Sequence, residues 1–105
     1  PTLVLLGTAP DATGDAYIGT DLNTDPAFKS TYEMILTAGA VATGAPATCN
    51  GGAAGTVVAS YSASAAPRNT GFRFFGTNQG GTIYQGPALL PPTQFGQPAG
   101  SRPIE

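Results

Sequence analysis

The sequence predicts an all-β fold: one small antiparallel sheet of about four strands in a meander, with long loops and a proline-rich extended C-terminal arm. Three observations lead there. Short stretches alternate apolar and polar residues with a period of two. An aromatic run, a Gly/Asn turn and a second apolar run follow one another between residues 72 and 85. With 15 glycines and 10 prolines in 105 residues, no segment reads as a helix of useful length, and none as an N-terminal helix.

The elements follow in chain order. Residues 1–8, Pro-Thr-Leu-Val-Leu-Leu-Gly-Thr, read as a short apolar strand buried against another element. Residues 9–31 hold all four aspartates (Asp11, Asp15, Asp21, Asp25) with Gly14, Gly19 and Pro26 as breakers, and read as one long ordered loop. Loops of that length in a small domain usually carry function or an interface. From Thr31 to Thr37 alternation returns, with Tyr32, Met34 and Leu36 on one face and Glu33, Ile35 and Thr37 on the other. Residues 38–55 are a Gly/Ala/Thr loop. A third strand is expected over 56–64, with Val57, Ala59, Tyr61 and Ala63 sharing a face.

The pair Phe72–Phe75 and Thr82–Gln85, joined through Gly76-Thr-Asn78-Gln-Gly80-Gly81, is a hairpin, because Asn and Gly accept the positive φ of a tight turn. Phe72, Phe74 and Ile83 are expected to hold the domain together, and Tyr32, Tyr61, Phe75 and Tyr84 also read as core. From residue 87 onward, prolines at 87, 91, 92, 98 and 103 exclude a helix or a central strand. The division expected is a β domain over 1–86 and an arm over 87–105, partly polyproline II. Leu89, Leu90, Phe95 and Ile104 are its apolar anchors, lying over its own sheet or over a neighbouring subunit.

Composition narrows the function. Only 10% of residues are charged, and the net charge is −2. Lys29, Arg68, Arg73 and Arg102 are scattered, so phosphate binding lacks its electrostatic term and nucleic acid is not an expected partner. The chain has no histidine, the commonest general base and metal ligand, and its single Cys49 has no base beside it in sequence. No glycine pattern leads into a helix and a lysine as a phosphate loop requires. The four aspartates do not match the spacing of an EF-hand loop; weak Ca²⁺ binding by this irregular loop competes with a plain turn-capping role. The expectation is a non-enzymatic protein without cofactor or metal. Cys49 reads as a loop thiol, with an intermolecular disulfide or a modified thiol as the other readings.

The apolar run Leu3–Leu6 is too short to span a membrane, and the absence of an initiator Met suggests a processed N-terminus. A surface of small, uncharged, hydroxyl-bearing residues suits an exported chain that packs against copies of itself.

Three blocks taken together resemble a known family. Lys29-Ser-Thr-Tyr32 opens an alternating strand; Tyr61 and Ala65-x-Pro67 follow; Thr70-Gly71-x-Arg73-x-Phe75 and Asn78-x-x-Gly81-x-Ile83 complete the order. This is similar to the globular heads of type IV pilin-like proteins, over residues 29–84. Where that family usually carries Gly and Asp, this chain has Thr31 and Asn78. This sequence does not show the long N-terminal pilin helix, which is either cut away or supplied by a second polypeptide; in the second case the chain resembles the separate head proteins of Geobacter-type split pilins, the C-terminal geopilin domain family.

The resemblance implies a structural subunit of an extracellular type IV pilus-like filament, exported through the periplasm to the cell surface. It also implies a non-covalent partner, a short helical pilin chain, with membrane contact only through that helix, and neighbouring copies of the chain in the filament. Leu3, Val4, Leu5 and Leu6, with one face of the sheet, are the expected cover for the helix; Leu89, Leu90, Phe95 and Ile104 are expected at subunit contacts. A secreted adhesive or binding module, a secretion pseudopilin head and a capsid or tail decoration are the competing readings.

Overall fold

A computed structural model describes residues 2–104. Its centre is a single antiparallel sheet of six strands in strictly sequential order: β1 (Ala27–Lys29), β2 (Tyr32–Ala38), β3 (Tyr61–Pro67), β4 (Phe74–Asn78), β5 (Tyr84–Gly86) and β6 (Arg102–Pro103). The all-β class, the meander and the extended arm are as the sequence predicts. Two strands extend the sheet beyond the four anticipated, one at each edge.

The N-terminal segment departs from expectation. Leu3–Leu6 forms one turn of α-helix (α1), not a strand. The Thr2 hydroxyl caps it by accepting from the Leu5 N–H at 3.0 Å, and the Gly7 N–H closes it on the Leu3 carbonyl at 2.9 Å. A hydroxyl at the N-cap, leucines within and glycine after are helix signals, and local capping outweighs the apolar run. Nor is the 9–31 segment only a loop. It contains a 3-10 turn at Thr20–Leu22 and ends in β1, which pairs with β2 through Ala27↔Met34 and Lys29↔Tyr32. The connecting Ser30 and Thr31 both have positive φ, 51° and 69°, the geometry of a mirror-image hairpin turn.

β3 starts at Tyr61 rather than at residue 56 and runs on to Pro67. Ahead of it, pairing continues in irregular form: Val41 bridges Val58, and the Ala59 N–H donates to the Ala40 carbonyl at 2.8 Å. The second hairpin also lies further along than expected. Gly71, at φ +86°, turns the chain, so Phe72 falls outside β4 and stands 57% exposed. Ile83, just ahead of β5, is 53% exposed. Neither Phe72 nor Ile83 therefore holds the core. Phe74, Phe75, Tyr32 and Tyr61 are half-buried, and the buried apolar side chains among the described residues are Ala27, Tyr84 and Leu90.

The register gives the sheet two unlike faces. On one lie Ser62, Ser64, Gly76, Asn78, Tyr84 and Gly86, and the arm folds over it. Leu90, 5% exposed, fits against the two glycines: a Cβ at Gly76 would lie 3.2 Å from its Cδ1 and one at Gly86 2.8 Å from its Cδ2. The arm thus lies over its own sheet, and β6 adds to the edge at Tyr84↔Pro103 and Gln85↔Arg102. Proline is tolerated there because β6 is an edge strand.

Asn78 ties the arm down. Its Nδ2 donates to the carbonyls of Thr93 (3.1 Å) and Gly96 (2.9 Å), while its Oδ1 accepts from the Gly80 N–H (3.0 Å) in the β4–β5 turn. The side chain is 2% exposed with both polar atoms used, as a buried amide requires.

Candidate interaction surface

Among the described residues, none of the arm lines the groove on the opposite face of the sheet. There Met34 of β2, Ala63 and Ala65 of β3, and Phe75 and Thr77 of β4 stand side by side through the pairs Met34↔Ala65, Ala63↔Thr77 and Ala65↔Phe75. Leu3 of α1 and Leu22 of the 3-10 turn form one bank, and Ile83 the other, around an open apolar groove of about 200 Å³. The alanines at its floor are small and leave room for another backbone to approach. Tyr32 and Phe75 meet at one end, ring centroids 5.8 Å apart and tilted by 50°, and the Tyr32 hydroxyl donates to the Arg73 carbonyl at 3.1 Å.

The eight expected interface residues separate into distinct environments. Leu3 lines the groove and Val4 is exposed beside it. Leu5 and Leu6 instead serve the fold. Leu5 packs towards Thr48, Val57 and Val58, and its carbonyl accepts from Asn50 Nδ2 at 2.7 Å; the Leu6 carbonyl accepts from the N–H groups of Tyr17 and Ile18. Leu90 is a correction, because it is spent in the core under the arm and offers no apolar surface to a partner. Leu89, Phe95 and Ile104 are exposed, Phe95 to 74%. The sequence alone did not single out Met34, Ala63, Ala65 and Phe75 as one surface. The alternation of Thr31–Thr37 already placed Met34 on a face, but the register with β3 was needed to find its neighbours.

Asp11, Asp21 and Asp25 are engaged in holding the fold. Asp11 Oδ1 accepts from the Thr13 N–H, the Thr13 hydroxyl and the Gly14 N–H at 2.7–2.9 Å, and these bonds, the Thr13 N–H foremost, hold its carboxyl below the usual range. Asp25 accepts from the Leu3 N–H at 3.1 Å. Asp21 pairs with Lys29, whose hydrogen bond lowers its carboxyl too. No group of three or more His, Cys, Asp or Glu side chains comes together among the described residues. Cys49 is exposed, with Sγ 3.2 Å from Tyr17 Oη; that hydrogen bond raises the tyrosine hydroxyl above its ordinary value.

No family model, curated protein or solved structure matches the chain. No helix among the described residues is long and apolar enough to cross a membrane.

Proposed function

We propose that this chain is the globular head of an extracellular type IV pilus-like filament, a structural and non-enzymatic subunit. Its apolar sheet face associates with a helix supplied by a separate short pilin chain. The observation that carries this reading is the two-sidedness of the sheet. One face is closed by the chain's own arm, whereas the other presents an apolar groove banked by Leu3, Leu22 and Ile83 and floored by alanines. A groove of that composition stays in water only at a cost of roughly 25 cal/mol per Å² of apolar surface, which a covering helix removes. A helix presents a continuous apolar stripe and satisfies its own backbone, so it suits a surface with few hydrogen-bonding groups.

Copies of the chain pack around that helix in the filament through exposed apolar side chains away from the groove, Phe95 and Leu89 among them. The order of motifs that resembles pilin heads supports the same assignment, as does the small share of charged residues in the chain.

The test is co-expression with a short pilin helix, followed by amide chemical-shift mapping on the isotopically labelled head. The expected result is a stable complex with shifts confined to Met34, Ala63, Ala65, Phe75, Ile83 and their neighbours. A head that remains monomeric and unperturbed, and never enters filaments, overturns the assignment.

A further inference from the structure

The four cationic side chains are not equivalent. Lys29 is paired with Asp21, and the Arg68 guanidinium lies 5.0 Å over the Phe28 ring. The other two, Arg73 and Arg102, line one cavity of about 300 Å³ together with Gln85, Gly86 and Ser101, and among the described residues none that lines it is acidic. A protein of net charge −2 thus gathers half of its positive charge at one place. The arrangement is held by the sheet itself. Gln85, nearly buried, accepts a hydrogen bond from Arg73 Nη1 and is paired across strands with Phe75 on one side and Arg102 on the other. Register places Gln85 and Arg102 on the same face as Phe75, which lines the apolar groove, while Gly86 and Gly100 of the cavity wall belong to the side covered by the arm.

We propose that the Arg73–Arg102 cavity binds a carboxylate borne by the polypeptide that covers the apolar face. It is an acidic side chain on the border of that chain's apolar stripe, and it fixes the register in which the stripe lies in the groove. The inference rests on the reading of the groove as a helix-binding surface. Two guanidiniums suit a carboxylate because each presents planar, forked donors and neither can be neutralised by losing a proton. The cavity is open, so a free small acid gains little burial there, whereas a chain already lying on Phe75 brings its carboxylate with the rest of its contact area. Across such a surface, charge complementarity sets register and specificity more than total affinity.

The probes are 20-residue helical peptides with a Leu/Ala stripe, carrying a single Glu placed in turn at each stripe-border position, and the same peptides with Gln. Binding to the intact chain is measured by calorimetry, and the Arg73 and Arg102 Nε–H resonances are followed by NMR. At one border position the Glu peptide is expected to bind about tenfold more tightly than its Gln counterpart, with both Nε–H signals shifting. In the R73Q/R102Q double variant, checked for folding by its circular dichroism, that preference disappears while the Gln peptide binds as before. R73K/R102K retains part of the preference.

Equal binding of Glu and Gln peptides at every position, with the groove residues shifting, overturns the carboxylate site and leaves the helix-binding groove standing. Failure of all peptides to bind overturns both. If the double variant does not fold, the wild-type Nε–H shifts decide the matter: a Glu preference without them overturns the assignment to these arginines.

Discussion

Leu90 rests on Gly86, its Cδ2 methyl 2.8 Å from the point a β-carbon at that glycine would occupy. The arm is thus keyed into the sheet by a large side chain over a position that tolerates none. Leu90→Ala should destabilise the chain by about 2–4 kcal/mol in chemical denaturation, since the site is fully packed and backbone lies beneath it. Gly86→Ala should also destabilise, because the added methyl meets both Leu90 and, at 3.1 Å, the Gly100 carbonyl.

Asn78 joins the β4–β5 turn to the arm through opposite ends of one amide. Asn78→Asp separates these roles: a carboxylate still accepts from the Gly80 N–H but cannot donate to the Thr93 and Gly96 carbonyls. The expected result is an intact hairpin with a released arm. Hydrogen exchange should accelerate at Ile104, whose N–H donates to the Ile83 carbonyl, and remain slow at Gly81, bonded to Asn78.

Thr31 sits at φ +69°, where a β-branched residue is strained. Thr31→Gly should raise stability by about 0.5–1 kcal/mol, the relief of strain exceeding the entropy glycine adds to the unfolded chain. A rise in thermal midpoint without a change in the sheet's circular dichroism checks it.

Ile83 is half exposed on the bank of the apolar groove. Ile83→Asp should change stability by no more than about 0.5 kcal/mol, yet abolish co-purification with a pilin helix. A variant that still retains the helix would place the contact elsewhere.

The pH dependence has a definite sign. The carboxyls of Asp11 and Asp21 are lowered in the folded chain, by hydrogen bonds from Thr13 and from Lys29 respectively. Their contribution is therefore present above the unfolded value of about 3.9 and lost as pH falls through the folded values beneath it. Between pH 4 and pH 2, roughly, the wild type should lose stability more steeply than Asp11→Asn or Asp21→Asn, as followed by thermal melts across that range.

Much of the sheet was legible because the side-chain period of a strand is written directly into β2, and because Asn78 and Gly81 mark a turn by their own geometry. What stayed hidden had physical reasons. The β1–β2 turn uses Ser30 and Thr31, which carry no turn signature, so β1 read as loop. α1 is decided by a single capping hydroxyl, which a four-residue apolar run conceals. Phe72 was misplaced because Gly71 shifts the strand start by two residues. The groove was the least legible part. Ala63 and Ala65 carry no signal as individual residues; the register gives them meaning, with Ala65 between Met34 and Phe75 and Ala63 between Leu36 and Thr77.

The strand order is the feature with the widest reach, since every strand pairs with the one made just before it. A chain delivered from its N-terminal end always finds its next partner already in place, and no earlier strand waits for a distant one. Two spans are long, that between β2 and β3 and the arm between β5 and β6, and the pairing of Ala40 with Ala59 and of Val41 with Val58 zips the first from its base. Folding of this kind depends on short-range closure. It can proceed strand by strand from the N-terminal end, with the arm arriving last to latch what has already formed.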